Sequence, residues 1–349
     1  MVRHPLRELL DENGSHAGGA TSSGRTGARG SADMTLPLRA AVVGVGHLGR
    51  FHAEKYAALE ESILVGVVDR DRDRAREVAG VLGVRVFPDH RALAGAVDCV
   101  SVAVPTQAHA AITADVLRAG IDVLVEKPLA STAAEGRELV RLAEESGRIL
   151  QVGHLERFNP ALRAAAAVVI EPRFLECHRL APFVDRGTDV DVIRDLMIHD
   201  LDVIQSFVPA EVVAVESVGV PVLTSTVDIA NARLRFANGC IANVTASRVS
   251  LKRERKLRIF QPDAYVAIDY DQRTVRICRR IAATRPGTLP EIVVEEHDAG
   301  KGDPLRDEVQ AFLAAVARRS VPAVSGREGL RALELAERIA ASLEQDGRA

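Results

Sequence analysis

The sequence has no tryptophan, and aromatic residues make up only 3% of its 349 residues. A chain this poor in aromatics has little with which to stack on nucleic-acid bases. It also has no large charge excess, because 45 basic and 48 acidic residues leave a net charge of −3. That balance provides no electrostatic footprint for nucleic acid or for an anionic membrane surface. No apolar run of the sequence approaches the roughly 20 residues of a membrane span. We therefore expect neither nucleic acid nor membrane as a partner.

Cysteines are few, and none of them forms a CxxC pair. Such spacing gives no sign of a disulfide framework or of a zinc site, so we expect no metal and a reducing, cytoplasmic location. The four cysteines are Cys99, Cys177, Cys240 and Cys278.

The first part of the chain differs in composition from the rest. Residues 1–36 contain the Gly/Ser/Arg-rich stretch GSHAGGATSSGRTGARGS, which has no hydrophobic period. Such a segment buries too little apolar surface to fold, so we predict a disordered tail. It has no apolar core of the secretory type, which leaves export as a minor alternative. Met34 is an alternative start, since the folded pattern begins just after it.

Short apolar runs alternate with helical patterns over residues 37–155. Continuous apolar strands separated by helices indicate a parallel sheet covered on both faces, with ligands at the carboxyl ends of its strands. The sequence thus predicts an α/β, doubly wound Rossmann domain. Its predicted strands are 38–46, 63–69, 84–87, 99–104, 121–127 and 149–154, and its predicted helices are 48–60, 71–82, 107–119 and 132–147.

The alternation of predicted strands and helices ends near residue 155, and residues 156–349 show a different pattern. After a helix over about 190–207, consecutive strands joined by turns predict a mixed or antiparallel, open-faced sheet, so that this is an α+β domain for substrate and oligomer contacts. Two amphipathic helices, about 304–318 and 326–345, then close the chain and are expected to pack back. The predicted strands are 212–222, 228–250 with a turn at Asn238-Gly239, 256–262, 265–270 and 274–280.

A GxGxxG motif follows the first predicted strand and opens a helix. Gly44 permits the tight turn, Gly46 lets a pyrophosphate approach the backbone, and Gly49 lets the helix pack closely. His47 and Leu48 lie within the motif and are expected at the cofactor. Asp69 ends the second strand and is positioned for the adenosine ribose hydroxyls, which favours NAD. Arg70 beside it is a candidate for a 2′-phosphate, which leaves NADP open.

Two further strand ends carry candidate residues. After the fourth strand, Pro105 shapes the loop, Thr106 is expected to cap the next helix, and His109 stands on its first turn. These three are predicted cofactor contacts; the alternative is a plain helix start, which explains His109 equally well. After the fifth strand come Glu126 and Lys127, followed by Pro128.

A charged pair that closes a buried strand is not explained by packing. Glu126 and Lys127 are therefore expected to face the cofactor. A lysine held partly desolvated beside the nicotinamide can accept the proton of a substrate hydroxyl as hydride leaves the same carbon. We predict Lys127 as the catalytic group; the alternative is a surface lysine that follows a strand.

Asp195 and His199 are spaced i, i+4 within an apolar helical pattern. This spacing places both on one helical face, and a buried acid–imidazole pair is costly unless it is satisfied or used. We predict that His199 shares proton transfer and that Asp195 orients either His199 or the substrate. For their neighbours Asp200 and Asp202, structural capping roles are expected.

The segment after the sixth strand supplies candidate substrate contacts. Arg157 and Asn159 lie at the predicted domain junction, where clefts often form, although a structural junction is equally compatible. Arg186 is a further candidate for an anionic group, because guanidinium matches phosphate geometry. A basic cluster, predicted at the edge of the second sheet, is a candidate diphosphate site or a charge-protected edge strand. Its members are Lys252, Arg253, Arg255 and Lys256.

The ordered motifs, GxGxxG, a strand-end Asp, PxxxH, EKP and DxxxH, together resemble the Gfo/Idh/MocA family of sugar and cyclitol dehydrogenases. The resemblance implies NAD in the Rossmann half, Lys127 at the catalytic centre, Asp195 and His199 beside the reacting hydroxyl, and a homodimer or homotetramer. Many members carry Gly-Gly before the DxxxH helix, and this chain does not.

Three longer stretches narrow the resemblance to one branch. GHLERFNPA, VDRGTDVDVIRDLMIHDLDVI and SRVSLKRERKLRIF resemble the branch that oxidises the 3-hydroxyl of UDP-N-acetylglucosamine, whose keto product a partner aminotransferase uses in lipid A synthesis. Related sugars, UDP-sugar acids and inositol stay open as substrates. A non-catalytic, cofactor-binding regulatory protein is a further alternative. The presence of Lys127, Asp195 and His199 argues against it.

Overall fold

A computed structural model describes residues 36–184, 190–281 and 291–345. Its first half is a six-stranded parallel sheet in the order β3-β2-β1-β4-β5-β6. The sheet order reverses between β1 and β4, which is where a doubly wound fold opens a crevice for ligands. The strands are β1 Leu38–Val43, β2 Ser62–Val68, β3 Arg85–Val86, β4 Cys99–Val102, β5 Asp122–Glu126 and β6 Leu150–Gly153.

Helices connect these strands on both faces of the sheet. Their beginnings are well marked by the sequence: Asp71 accepts hydrogen bonds from the backbone of the second helix, and Thr132 with Glu135 forms a capping box at the fourth. The predicted α/β, doubly wound architecture is confirmed. The helices are α1 His47–Ala58, α2 Arg72–Leu82, α3 His109–Arg118 and α4 Ala133–Glu145.

The second half contains an eight-stranded mixed sheet in the order β14-β13-β12-β11-β7-β10-β9-β8. The pair β7 and β10 is parallel and the other pairs are antiparallel, so the predicted mixed sheet is confirmed. The strands are β7 Phe174–Leu180, β8 Val212–Val220, β9 Ile229–Phe236, β10 Ile241–Ser247, β11 Glu254–Gln261, β12 Ala264–Asp269, β13 Thr274–Ile281 and β14 Glu291–Asp298.

One face of this sheet is covered by α5 (Pro160–Ala166), α6 (Ile198–Phe207) and part of α8 (Gly326–Gln345). The alternation of β9 and β10, in which every second residue is buried, gives the sheet one core face and one open face. Among the described residues, none of the helices combines the length and the apolar composition needed to cross a bilayer.

The last two helices pack back on the first half. Val309 and Phe312 of α7 (Pro304–Arg318) share a buried cluster with Ala40 and Val42 of β1. Leu333 of α8 packs in the cluster on the other side of the same sheet. The Rossmann sheet is thus completed by chain from the far end of the sequence.

Three elements were not predicted, and one was predicted differently. β7, β14 and α5 had no counterpart in the sequence analysis, and the single helix predicted over 190–207 divides into a π-helical turn, Ile193–Met197, and α6. The predicted tail, residues 1–36, lies outside the described residues apart from Leu36. The boundary predicted near residue 155 stays a prediction, and the chain crosses from one sheet to the other between β6 and β7.

Candidate active site

The loop between β1 and α1 has the geometry of a dinucleotide cradle. Gly44 has φ +84°, which L side chains rarely adopt, and a Cβ on Gly49 would lie 1.7 Å from the Gly44 oxygen. A Cβ on Gly46 would meet nothing within 4 Å, so open space lies against the backbone where α1 begins. His47 and Leu48 are exposed in the first turn of α1. Backbone N–H groups at such a helix start favour an anion, and these residues fit a pyrophosphate.

Asp69 follows β2 and faces this loop. Its Oδ2 accepts a hydrogen bond from the Val45 backbone N–H at 2.8 Å, and its Oδ1 accepts one from Asp71 at 2.9 Å. The carboxylate therefore fixes the glycine-rich turn and keeps lone pairs for the hydroxyls of a ribose. Arg70 beside it is exposed. The arrangement fits the adenosine half of NAD.

Replacing Asp69 with asparagine is expected to raise the KM for NAD about 10–100-fold, because a hydrogen bond to a charged group contributes about 1.5–3 kcal/mol. Steady-state kinetics at saturating substrate measures the effect. Asp73→Asn, at a carboxylate whose side chain is 92% exposed, is the matched control and should leave the KM unchanged. An Asp69→Asn enzyme with the parent KM for NAD would contradict the assigned contact.

The loop after β4 departs from the prediction for Thr106. Thr106 does not cap α3: Ala108 occupies the cap position, and the main-chain oxygen of Thr106 accepts hydrogen bonds from the His109 backbone N–H and, at 3.4 Å, from the Ser131 hydroxyl. Pro105 begins the short 3-10 turn Thr106–Ala108 that precedes the helix. Both residues remain predicted cofactor contacts through their place beside the β1–α1 loop.

The side chain of His109 is buried and connects two loops, so it is not exposed for contact with a ligand. It is 1% exposed, with Nδ1 2.8 Å from the Pro128 oxygen and Nε2 2.8 Å from the Val104 oxygen. Burial lowers the pKa of His109, while the two carbonyl groups oppose that shift. The prediction that its side chain binds the cofactor is corrected accordingly: both ring nitrogens are occupied in joining the loops that follow β4 and β5.

Lys127 lies where the two halves of the protein meet. It follows β5, precedes a cis bond to Pro128, and its side chain is 16% exposed. Its Nζ donates a hydrogen bond to the Asp195 main-chain oxygen at 2.7 Å and lies 3.5 Å from Asp195 Oδ1. The structure thus brings together two residues that are 68 positions apart in the sequence. Asp195 contacts Lys127 and belongs to the π-helical turn before α6.

His199 completes this group from the start of α6. Its Nδ1 is buried and has no hydrogen-bond partner among the described residues. Burial lowers the pKa of His199 well below its ordinary value, and the positive charges of Lys127 and Arg179 lower it further. The ring is therefore uncharged at neutral pH. An uncharged imidazole is able to accept a proton in a site that otherwise carries cations.

Arg157 does not point into the cleft. It is 1% exposed, and its Nε and Nη2 donate to the two Asp202 oxygens at 2.6 and 2.8 Å, with Glu328 at 3.3 Å. The prediction of a substrate contact is corrected, because the guanidinium is enclosed and its charge is already balanced. Asp202 is correspondingly an ion-pair partner and not a helix cap.

Asn159 also has a structural role. Its Oδ1 accepts a hydrogen bond from the Ala161 backbone N–H at the start of α5, and its Nδ2 donates to the Tyr270 oxygen at 3.3 Å. It is 7% exposed, so it joins α5 to the second sheet instead of binding substrate. Arg186, the remaining predicted substrate contact, lies outside the described residues.

Two basic or titratable residues close to His199, Arg179 and His154, were missed as site residues. Arg179 of β7 is 2% exposed and pairs with Asp200 at 2.8 Å, which gives Asp200 an ion-pairing role instead of the predicted cap. His154 follows β6, is 1% exposed, and its ring lies edge-on to that of His199 with centroids 6.5 Å apart. Arg255 lies 3.7 Å from Glu156. His154 stood in the motif after the sixth strand and Arg255 in the predicted basic cluster, whereas Arg179 lay in a segment that the sequence analysis did not single out.

The basic cluster lies at the start of β11 and in the two residues before it, and β11 runs between β7 and β12 and not along an edge of the sheet. The prediction of a charge-protected edge strand is therefore wrong. Arg253 pairs with Asp271 at 2.9 Å, and Lys256 lies 3.6 Å from Glu254. Together with Arg255 these residues line an open groove of about 480 Å³. The groove is rich in charge of both signs, which suits a polar ligand.

The chain matches two family models. Residues 38–154 match "Oxidoreductase family, NAD-binding Rossmann fold", and residues 164–265 match "GFO/IDH/MocA C-terminal domain". The first half is an NAD-binding Rossmann fold, in agreement with the glycine loop and with the place of Asp69.

Individual proteins give the same result. A UDP-N-acetylglucosamine 3-dehydrogenase of Acidithiobacillus ferrooxidans is 42% identical over 310 residues, which are 88% of this chain and 98% of the relative. A solved structure of that enzyme aligns with a TM-score of 0.84, covering 89% of this chain and 99% of the other. An inositol 2-dehydrogenase of Rhizobium meliloti is 26% identical over 89% of this chain and 98% of its own length.

These matches cover both sheets, and they agree with a lysine held at the junction of an NAD-binding half and a second, mixed-sheet half. The alternative of a non-catalytic regulatory protein is set aside. The chain belongs to the Gfo/Idh/MocA family, and it is an NAD-dependent oxidoreductase that acts on a CH–OH group.

Proposed function

We propose that the protein oxidises the 3-hydroxyl of UDP-N-acetylglucosamine to the 3-keto sugar. The observation that carries the proposal is the contact of Lys127 with Asp195, since it places an amine of the Rossmann half against the turn that leads to His199. The identity of 42% with an enzyme of that name supports this substrate. The product is a ketone of the class that an aminotransferase converts to an amino sugar, and we propose that lipid A precursor synthesis uses it.

Bound NAD supplies the hydride acceptor. The chain's own residues manage the proton that leaves the 3-hydroxyl when the C3–H bond gives up its hydride. The Asp195 main-chain oxygen holds one hydrogen of the Lys127 amine, which orients Nζ and leaves its remaining positions toward the cleft. Lys127 takes the hydroxyl proton through the lone pair of its amine, which must be uncharged when NAD and the sugar are bound, and the uncharged ring of His199 is a second acceptor. Asp195 acts here as the group that orients Lys127.

The basic groove on β11 is the proposed place for the diphosphate. Arg255 lines this groove, and its charge also contributes to the low pKa of His199. Its guanidinium is only partly balanced by Glu156, at 3.7 Å, and by Asp271, at 3.9 Å. A diphosphate that displaces these long contacts gains charge-assisted hydrogen bonds.

The direct test is absorbance of reduced nicotinamide in a mixture of protein, NAD and UDP-N-acetylglucosamine, with an aminotransferase and an amino donor to draw off the ketone. We expect NADH to form with the UDP-sugar and not with free N-acetylglucosamine plus UDP. Turnover of a free sugar or of inositol instead would favour the second candidate function, that of an inositol or sugar dehydrogenase. The 26% identity with an inositol 2-dehydrogenase supports this second candidate. In that case the groove on β11 is not a diphosphate site.

A further inference from the structure

A buried polar cluster lies directly behind the strand end that carries Lys127. His52 of α1 makes two contacts: its Nε2 lies 3.0 Å from Glu126 Oε1 and its Nδ1 lies 3.1 Å from the Ser101 hydroxyl. Tyr56 joins the same hydroxyl at 2.9 Å. Glu126 in turn accepts a hydrogen bond from the Lys127 backbone N–H at 3.2 Å. Elements α1, β4 and β5 are therefore joined by side chains at this point.

Glu308 enters this cluster from α7. It is 0% exposed, and neither of its carboxyl oxygens receives a hydrogen bond from a donor among the described residues. A carboxyl oxygen of Glu308, one of Glu126 and a ring nitrogen of His52 all lie within 4.8 Å of one another. An ionised carboxylate with no donor in such a place costs several kcal/mol, so the site requires a compensating positive charge or a proton.

The surrounding groups decide which carboxyl group carries the charge. Glu126 has two neighbours that stabilise its ionised form, His52 and the Lys127 backbone N–H. Glu308 has none: Gln151 of β6 donates its Nε2 to the main-chain oxygen of Glu308, at 3.2 Å, and the Tyr56 hydroxyl is engaged with Ser101. Two carboxyl groups this close do not both ionise at low cost.

The acidities follow from the same contacts. Burial raises the pKa of Glu308 well above its ordinary value, and the negative charge of Glu126 raises it further. Burial also acts to raise the pKa of Glu126, but the hydrogen bond and charge of His52, together with Lys127, outweigh it and leave this pKa below the ordinary value. The charge therefore belongs on Glu126 and the proton on Glu308.

We propose that Glu308 is a positioning residue for Lys127: its carboxyl group keeps a proton, donates it as a hydrogen bond to Glu126, and thereby fixes the charge and direction of the strand end that carries Lys127. The catalytic meaning of this contact rests on the function proposed above for Lys127. The proton itself does not, and it is measurable in the resting protein.

Infrared spectroscopy tests the proton directly. The carbonyl stretch of a protonated carboxyl group absorbs above the amide I band, where ionised carboxylates do not. We expect such a band in the wild-type protein at neutral pH, a small downshift in D₂O, and its loss in Glu308→Gln. The matched control is Glu138→Gln, because Arg141 holds the pKa of exposed Glu138 below its ordinary value. A spectrum without the band, or a band that survives Glu308→Gln, overturns the proposal.

Stability against pH gives an independent readout. A group whose pKa is raised in the folded state contributes its full stability below its unfolded value, about 4.3 for Glu, and loses it as pH rises through the folded value. Glu308→Gln keeps the shape and a donor but does not titrate. We therefore expect its melting temperature to exceed that of the wild type by a few degrees at pH 8, with the difference vanishing below about pH 4. Equal melting curves at both pH values contradict a raised pKa.

Kinetics separates positioning from mere packing. Glu308→Leu removes the donor to Glu126, which raises the pKa of that carboxyl and should move the acidic limb of kcat/KM to higher pH by about one unit. Glu308→Gln, which still donates, should keep the wild-type profile. A uniform loss at every pH in Glu308→Leu, with an unmoved limb, would mean a packing role only.

One other outcome would overturn the proposal. A stoichiometric divalent metal ion in the purified protein, lost in Glu308→Gln, would mean that a cation and not a proton balances the two carboxyl groups. Failure of the UDP-sugar assay affects only the function proposed for Lys127, because the infrared band and the melting curves need no turnover.

Discussion

Lys127→Ala is expected to lower kcat by about 10²–10⁴-fold, the usual contribution of a general acid–base group, while the affinity for NAD stays unchanged. The reason is geometric: the amine is held by Asp195, from the second half of the protein, and its loss leaves the glycine loop and Asp69 untouched. Single-turnover measurement of NADH formation gives the chemical step, and fluorescence titration gives the affinity for the cofactor.

The matched control for this change is Lys301→Ala, at an exposed lysine of the segment before α7. It should leave both quantities unaltered. If NAD affinity falls in parallel with kcat in Lys127→Ala, then Lys127 binds the cofactor and is not the group that takes the proton. A variant with the parent kcat would remove Lys127 from the chemistry altogether.

Arg157→Leu is expected to destabilise the fold by about 3–5 kcal/mol, because breaking a buried ion pair leaves an uncompensated charge. Here that charge is Asp202, which is 1% exposed and receives two hydrogen bonds from the guanidinium. The free energy of unfolding from guanidinium titration measures the loss. Replacing Asp202 with asparagine in the same chain should recover part of it, since the orphaned charge is then absent.

Arg141→Leu is the control for Arg157→Leu. Arg141 also pairs with two carboxylates, Glu138 and Glu145, but its side chain is 54% exposed, and its loss should not measurably change stability. If Arg157→Leu is as stable as the wild type and instead raises the KM for the sugar substrate, then Arg157 is a substrate contact, as the sequence predicted.

The parts of the fold that the sequence predicted are those whose signal is local. Most strands of the Rossmann sheet are short, largely apolar segments, and Gly44 and Gly49 stand where a side chain would be strained or would clash. β7 was missed because its sequence, FLECHRL, does not alternate strictly between apolar and polar residues: a charged residue, Arg179, stands at a buried position. Its Arg179 is nevertheless buried, since Asp200 lies opposite it, and a pairing 21 residues away in the chain leaves no periodic trace.

The candidate site was predictable to the same extent. Lys127, Asp195 and His199 were identified by a charged strand end and by spacing within an apolar stretch, and the structure brings Lys127 and Asp195 into contact. Arg157 was misassigned because the sequence does not show whether an arginine side chain faces solvent or a buried carboxylate. Its partner, Asp202, is 45 positions away. Glu308 carried no signal at all, since one Glu in an amphipathic helix is ordinary.

Helix α7 is synthesised long after the parallel sheet against which it packs. Strands β1 to β6 are complete at Gly153, but Val309 and Phe312, which cover part of one face of their sheet beside α1 and α2, come much later in the chain. At synthesis rates of about 5–20 residues per second, the sheet waits roughly 8–30 s on the ribosome with that part of its apolar face uncovered. A nascent or truncated chain in that state exposes apolar surface and is prone to aggregate. Folding in the cell therefore depends on protection of that surface, for example by a chaperone, until the last helices emerge.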